Sequence, residues 1–397
     1  MRAALALITI GMLIALPVAS QWVRAEIRVG EPGDTSVIHS RTKISSHADR
    51  QGTAESSAQH FQDFDGRGRR ARVTDLKFTH LTTNDGLSQN NVTAILQDRR
   101  GFMWFATRDG LNRYDGNTFV VYKHNPNDVD SLSANYLQDL MEDDQGYLWI
   151  ATLTGGVNKF DPRTERFTRY RHYPSNSNTL SGDSVYSIVR DPRGYLWFGT
   201  GDAGIDRLDP ATGNFAHYLN DSDGLFVGKI TRVIADHAGE IWFVGERGLF
   251  HLNPATGQIT RPNRTVKGLA ADHVYEDNVG NFWMLTYAPI IGLVKYDRQT
   301  DRFTSYPLGA GAVGVANSRL LADGQNGLWV ASSLGLQYFD VRTERFTNRF
   351  QHDESNPDSL NDNVVVSVYQ DRGGVLWVGT ENGGLNLLNF RQEQLGL

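Results

Sequence analysis

Residues 185–200 read Val-Tyr-Ser-Ile-Val-Arg-Asp-Pro-Arg-Gly-Tyr-Leu-Trp-Phe-Gly-Thr. Val185 to Asp191 is β-branched and apolar and reads as a strand. Pro192, Arg193 and Gly194 supply turn chemistry, and Tyr195 to Thr200 is a second strand. Gly201 to Gly204 turn the chain again, Ile205 to Asp209 is a third strand, Pro210 to Gly213 a third turn, and Phe215 to Tyr218 a fourth strand. Four short antiparallel strands in about 45 residues form one blade of a β-propeller.

The unit recurs. Trp104, Trp149, Trp197, Trp242, Trp283, Trp329 and Trp377 are separated by 45, 48, 45, 41, 46 and 48 residues. Each follows an aspartate by six positions: Asp98, Asp143, Asp191, Asp236, Asp277, Asp323 and Asp371. Six follow a glycine by three; in the sixth unit Asn326 stands there, a residue that also tolerates positive φ. A fixed period in this range marks a repeat architecture. The expectation is an all-β fold, a single seven-bladed β-propeller of four-stranded antiparallel blades.

Both faces of a blade are covered by neighbouring blades, so its middle strands should be apolar on both sides. Tyr147-Leu-Trp-Ile-Ala and Val375-Leu-Trp-Val-Gly obey. Each Trp shares a strand face with a small residue two further on (Ala106, Ala151, Gly199, Ala331, Gly379), which leaves room for a bulky ring. The tryptophans read as core anchors. Asp161, Asp209, Asn253 and Asp340 open a repeated third turn and read as turn-formers, not catalytic acids.

The seventh unit has three strands and lacks a fourth. Phe78-Thr-His-Leu81 matches the fourth-strand pattern of Phe167-Thr-Arg-Tyr170. The N-terminal strand should therefore close the ring, three strands plus one, and remove a free edge.

Outside residues 75–390 the composition changes. Arg2 precedes an apolar run from Ala3 to Ala19, and Val18-Ala19-Ser20 fits a small-residue cleavage site, with Ala25 a second. Residues 1–25 read as a secretory signal peptide, with an uncleaved membrane anchor as the alternative. Residues 26–74 are polar with few large apolar groups and read as a disordered linker. Residues 391–397 are a tail. The chain has no cysteine, which excludes disulfides and thiolate chemistry, and a net charge of −6 that argues against nucleic acid.

The string Asp-x-x-Gly-x-Leu-Trp-x-Gly-Thr-x-x-Gly-Leu, followed by Asp-Pro-x-Thr-x-x-Phe, resembles the two-component regulator propeller repeat. The segment Thr83-Asn-Asp-Gly-Leu-Ser-Gln-Asn-Asn-Val92 looks like the start of such regions. The resemblance covers residues 78–390. It implies an extracytoplasmic, periplasmic sensor of a signalling receptor, in which an immunoglobulin-like module, a membrane span and a histidine kinase or diguanylate cyclase follow. No kinase phosphoacceptor region or nucleotide-binding box is read here, and the length provides one propeller where relatives often carry two. A truncated receptor and a free-standing module are both open. The resemblance carries over a role but no catalytic residue and no cofactor.

Strand order places the turns between second and third strands on the same rim as the crossings between blades. The candidate ligand-binding residues are Thr107, Arg108, Asp109, Thr154, Asp202, Glu246, Arg247, Tyr287, Ser333, Glu381 and Asn382. The fifth blade inserts Ala288-Pro-Ile-Ile291 there as an apolar bulge, and several crossings are rich in Asn, Ser and Asp. Such groups converging near the channel would suit a small polar ligand or oligosaccharide, with a membrane-bound kinase or cyclase as a partner. No metal-ligand spacing or nucleophile elbow is read. The enzymatic alternative is a metal-dependent propeller lyase resembling streptogramin lyase, for which His217, His251 and His273 are candidates in number only, read as exposed or strand-edge histidines. A secreted protein-binding scaffold is the third reading.

Overall fold

The computed structural model describes residues 76–201, 203–218, 228–262, 266–314 and 318–390. The signal peptide, the linker (26–74) and the tail lie outside the described residues. Strands form seven four-stranded antiparallel sheets. Within each blade we letter the strands A to D; in blade 1 they are Val92–Gln97, Met103–Thr107, Gly110–Tyr114 and Phe119–Tyr122. The A strands of consecutive blades contact one another, and that of blade 7 contacts that of blade 1, so they line a closed inner wall. Phe78–Leu81 pairs antiparallel with Leu385–Asn389, with Phe78 opposite Leu388 and Leu81 opposite Leu385. It is the outer strand of blade 7, as the pattern predicts. Phe78 is buried and meets Phe350 edge-on at 5.9 Å.

The Asp-Trp spacing has a direct cause. In blades 1–5 and 7 the aspartate Oδ2 accepts the indole N–H of the Trp six residues on, at 2.8–3.1 Å. Its Oδ1 accepts the amide four residues on, which closes the turn between strands A and B. One carboxylate thus satisfies both the turn and a buried indole. Gly101 holds φ 102° in that turn. Blade 6 departs from the plan. Tyr338 donates to Asp323 Oδ2 at 2.5 Å, while Gly324, not Asn326, takes the positive φ, at 75°. The expectation of a left-handed Asn326 is corrected.

Each Trp packs onto the next blade: Trp104 on Phe160 at 5.4 Å, Trp242 on Phe282 at 4.8 Å, Trp377 on Phe105 at 5.4 Å. The small residue two positions on has a different neighbour from the one expected. A Cβ on Gly199 would lie 2.8 Å from Ile230 and 3.0 Å from Val233, and one on Gly379 would lie 2.9 Å from Val92. At Gly199 the room is taken by aliphatic groups of the next A strand, and at Gly379 by the Ser367 hydroxyl of the same blade together with Val92 of the next, not by a bulky ring.

The third turns are Asx turns, as expected: Asp161, Asp209, Asn253 and Asp340 each accept the amide two residues on at 2.8–3.0 Å. Glu165 holds a left-handed φ of 55° there and accepts hydrogen bonds from Arg113 and Tyr122 of the preceding blade. The strained residue clasps one blade to the next.

Candidate binding face and axial channel

Antiparallel order puts the B–C turns and the D-to-A crossings on one face. Three crossings share a layout. His124, His172 and His352 each bond through Nδ1 to the carbonyl eight residues on, that of Leu132, Leu180 or Leu360. Those leucines are fully buried. The backbone N–H groups of the same histidines go to Asn135, Asp183 and Asn363. Strand C then holds each loop end: Asn158, Asp206 and Asn386 accept from Ser133, Ser181 and Asn361, and Asn112 accepts from Ser88 before blade 1. The Asn, Ser and Asp richness of these crossings is therefore committed to folded caps. It does not supply the convergent free groups that the sequence reading expected.

The B–C turn residues divide in two. Thr107 is buried, and its hydroxyl donates to the Gly110 carbonyl at 3.0 Å; Thr152, Thr200, Thr286, Ser332 and Thr380 close their turns in the same way. Asp109 pairs with Lys123 at 2.6 Å and accepts from Asn135. Arg108 pairs with Glu381 at 3.2 Å across the seam between blades 1 and 7, and lies over the Tyr136 ring. Asn382 bonds Asp362, and the Ser333 hydroxyl bonds the backbone of Val313. Thr154, Glu246, Arg247 and Asn382 are exposed. Tyr287 is half-buried; burial first, then Asp272 and Glu246, push its phenol up to about 12. With Asp272 and Ser318 it lines a cavity of about 10 Å³ between blades 5 and 6, room for one water. Asp202 lies outside the described residues. The structure thus joins Arg108 to Glu381 and sets Tyr287 near Glu246 and Asp272, but it does not gather all the candidates at one point. The blade 5 insertion is not a free apolar bulge, since Ile291 packs into the interior and only Pro289 is exposed.

Sequence reasoning missed a second feature. Four residues before each repeated aspartate stand Ala94, Asp139, Ser187, Arg232, His273, Arg319 and Ser367, six within their A strands and Arg319 just before that of blade 6. In six blades a β-bulge lies just before this position; bulges re-aim side chains. Ala94, Ser187 and Ser367 meet the next blade, Ala94 in its apolar core and the two serines at the backbone of Val233 and Val92, while the longer side chains reach across the ring. Arg232 of blade 4 and Arg319 of blade 6 both reach Asp139 of blade 2, each at 2.9 Å. Arg319 also donates to the carbonyls of Thr93 and Gln138, and the Ile188 N–H donates to Asp139. Asp139 is 2% exposed; burial raises its pKa, but the two guanidiniums and the amide outweigh burial and hold it below the usual carboxylate range. His273 is buried, and burial, then Arg232 and Arg319, push it well below an ordinary histidine. The available signal was a charged residue at one fixed place in otherwise apolar strands.

The three histidines named for the lyase reading do not assemble. His273 is axial, neither exposed nor at a strand edge. His217 pairs with Asp206 at 2.7 Å on the outer half of blade 3, and His251 with Glu240 at 3.1 Å in blade 4. Among the described residues no group of three or more His, Cys, Asp or Glu side chains is placed to hold a metal, and no helix is long and apolar enough to cross a membrane.

The His273 shift has a pH consequence. Its folded pKa lies below the unfolded value, so the unfolded chain binds the extra proton as pH falls below about 6.5. Stability should fall from pH 7 toward 5 with a contribution of at most about 1.4 kcal/mol per pH unit. Urea titrations across that range should show this slope reduced in His273→Gln; an unchanged slope would show that His273 titrates normally.

Four segments, residues 86–109, 131–154, 179–202 and 359–382, match the family model described as two component regulator propeller. They cover the end of the crossing, strands A and B and the B–C turn of blades 1, 2, 3 and 7, the last three being the blades that the folded caps precede. A stretch of 62 residues is 47% identical to histidine kinase P4 of Formosa agariphila, covering 16% of this chain and 4% of that protein. The fold is similar to the extracellular domain of a hybrid two-component system of B. thetaiotaomicron, with TM-score 0.68 and 29% identity over 79% of this chain and 42% of that one. Virginiamycin B lyase from Staphylococcus aureus, at 15% identity and TM-score 0.58, covers 79% of this chain and 99% of that one and shares the fold alone. The chain therefore spans about two-fifths of that solved extracellular domain.

Proposed function

We propose that this propeller, four of whose blades match the two component regulator propeller model, is the ligand-binding part of an extracytoplasmic sensor serving a histidine kinase or diguanylate cyclase type receptor. The observation that carries this reading is the likeness, over 79% of the chain, to an extracellular domain of a hybrid two-component system. The propeller contributes binding, not chemistry. An export signal in residues 1–25 would deliver it to the periplasm, and a membrane-bound kinase or cyclase would receive its signal.

The ligand in this reading is a small polar molecule or oligosaccharide held on the crossing face. Glu246, Arg247 and Tyr287 offer a carboxylate, a guanidinium and an aromatic surface on adjacent blades, a set suited to sugar hydroxyls. Thr154 and Asn382 extend the face on blades 2 and 7.

A thermal-shift screen of the purified chain against neutral and acidic oligosaccharides tests it. A saccharide that raises the melting temperature should bind about tenfold or more weakly to the Arg247→Ala, Tyr287→Ala double variant. It should bind unchanged to Arg163→Ala, on the opposite rim. Loss at Arg163 with retention in the double variant would move the site to the other face.

A further inference from the structure

We propose that the axial layer is an oxyanion-binding site, formed by Arg232, His273 and Arg319 around the channel. It rests on the A-strand geometry alone and holds whether or not the rim binds a saccharide. Two guanidiniums share one carboxylate, since both reach Asp139, and Ser187, Ser367 and Ala94 at the equivalent positions carry no charge. The Asp139 oxygens are already engaged, Oδ1 by Arg319 and Oδ2 by Arg232 and the Ile188 N–H. One positive charge is left uncompensated on the axis.

The donors are left over as well. Arg232 bonds Asp139 through Nη1 alone; its Nε is buried and has no partner. The side chain is surrounded by the ring of blades yet keeps 23% of its surface open to the channel. His273 is 8% exposed, and its Nδ1 has no partner. A buried guanidinium N–H without an acceptor is costly, and a guanidinium edge, with the His273 ring in its Nδ1–H tautomer, suits the oxygens of a carboxylate, sulfate or phosphate. Burial strengthens such contacts, because the low dielectric of the channel wall screens them poorly. A further cation, Lys229, stands three residues before Arg232 at the crossing-face end of the same strand, over the Tyr186 ring at 4.9 Å. It marks an entry from that face. Of the acids near this end, Asp272 lines the small cavity with Tyr287 and Ser318, and both it and Glu246 act on the Tyr287 phenol. The anion is either a free inorganic ion or the acid group of a sugar, which share this recognition chemistry.

The test is calorimetric titration of the purified chain at low ionic strength with inorganic phosphate, sulfate, glucuronate and glucose, with sodium chloride as the ionic-strength control. One anion is expected to bind with a stoichiometry of one per chain, and Arg232→Gln should weaken it about tenfold or more. His273→Leu, which keeps both arginines and removes only the imidazole donor, should weaken it less but measurably. Binding of glucuronate without sulfate or phosphate assigns the site to a sugar acid; the reverse assigns it to a free ion. A selenate soak of crystals of the unmodified chain supplies a readout that needs no variant, with an anomalous peak expected between Arg232, His273 and Arg319. Absence of saturable binding up to about 10 mM, or binding indifferent to both substitutions, or selenate found only elsewhere, overturns the proposal.

Discussion

Trp197→Ala is expected to lower the unfolding free energy by about 3–5 kcal/mol, measured by urea denaturation. The indole is fully buried between blades 3 and 4, beside Ile230 and Val233. Its removal leaves a cavity in close-packed surroundings and deprives the Asp191 carboxylate of the N–H at 3.0 Å. A paired substitution separates the two losses. Trp197→Phe keeps most of the apolar volume but loses the hydrogen bond. Trp329→Phe in blade 6 makes the same change where Tyr338, not the indole, is the bonded partner of the turn aspartate. Trp197→Phe should therefore cost about 1–2 kcal/mol more than Trp329→Phe. Equal costs would show that the indole bond adds nothing and that the six-residue spacing has another cause.

Asp139→Ala should be the most damaging single loss of charge. Removing one partner of a buried ion pair leaves the other desolvated and unpaired, at a cost of about 3–5 kcal/mol when both are fully buried. Arg232 and Arg319 keep 23% and 15% of their side chains open to the channel, so about 2–4 kcal/mol is expected after that discount. Asp139→Asn retains the shape and should recover part of it. The same linkage governs acid: the native carboxyl titrates below its unfolded value, so its contribution is present above about pH 4 and is lost as pH falls through the native value. An Asp139→Ala variant as stable as the parent at pH 7 would show that the axial charges are solvated rather than mutually dependent.

Much of the fold was readable because the repeat exposes its own constraints. A buried indole needs an acceptor, the A–B turn needs one too, and a single aspartate at a fixed offset meets both needs in six blades. The strand Phe78–Leu81 declared its place through its likeness to other outer strands. The rim was harder to read. A threonine closing a turn and a threonine facing solvent look alike in sequence, and Thr107 and Thr154 fall on opposite sides of that division. The polar crossings looked like solvent-facing loops, yet Leu132, Leu180 and Leu360 anchor them and their polar groups bond inward. The axial layer escaped notice because its members differ in type from blade to blade. Only closure of the ring brings Asp139, Arg232 and Arg319, up to 180 residues apart, to one place.

Every face and axis named above depends on the ring being closed by its first described strand. The chain has no cysteine, so the pair Thr79→Cys and Leu387→Cys, opposite one another in the register of that closure, can join only to each other within a chain. Mild oxidation of the dilute double variant should give an intramolecular disulfide, seen as a faster-migrating monomer on non-reducing gels, with a raised melting temperature. Persistent free thiols, or disulfides formed only between chains, would contradict the closure and the channel with it.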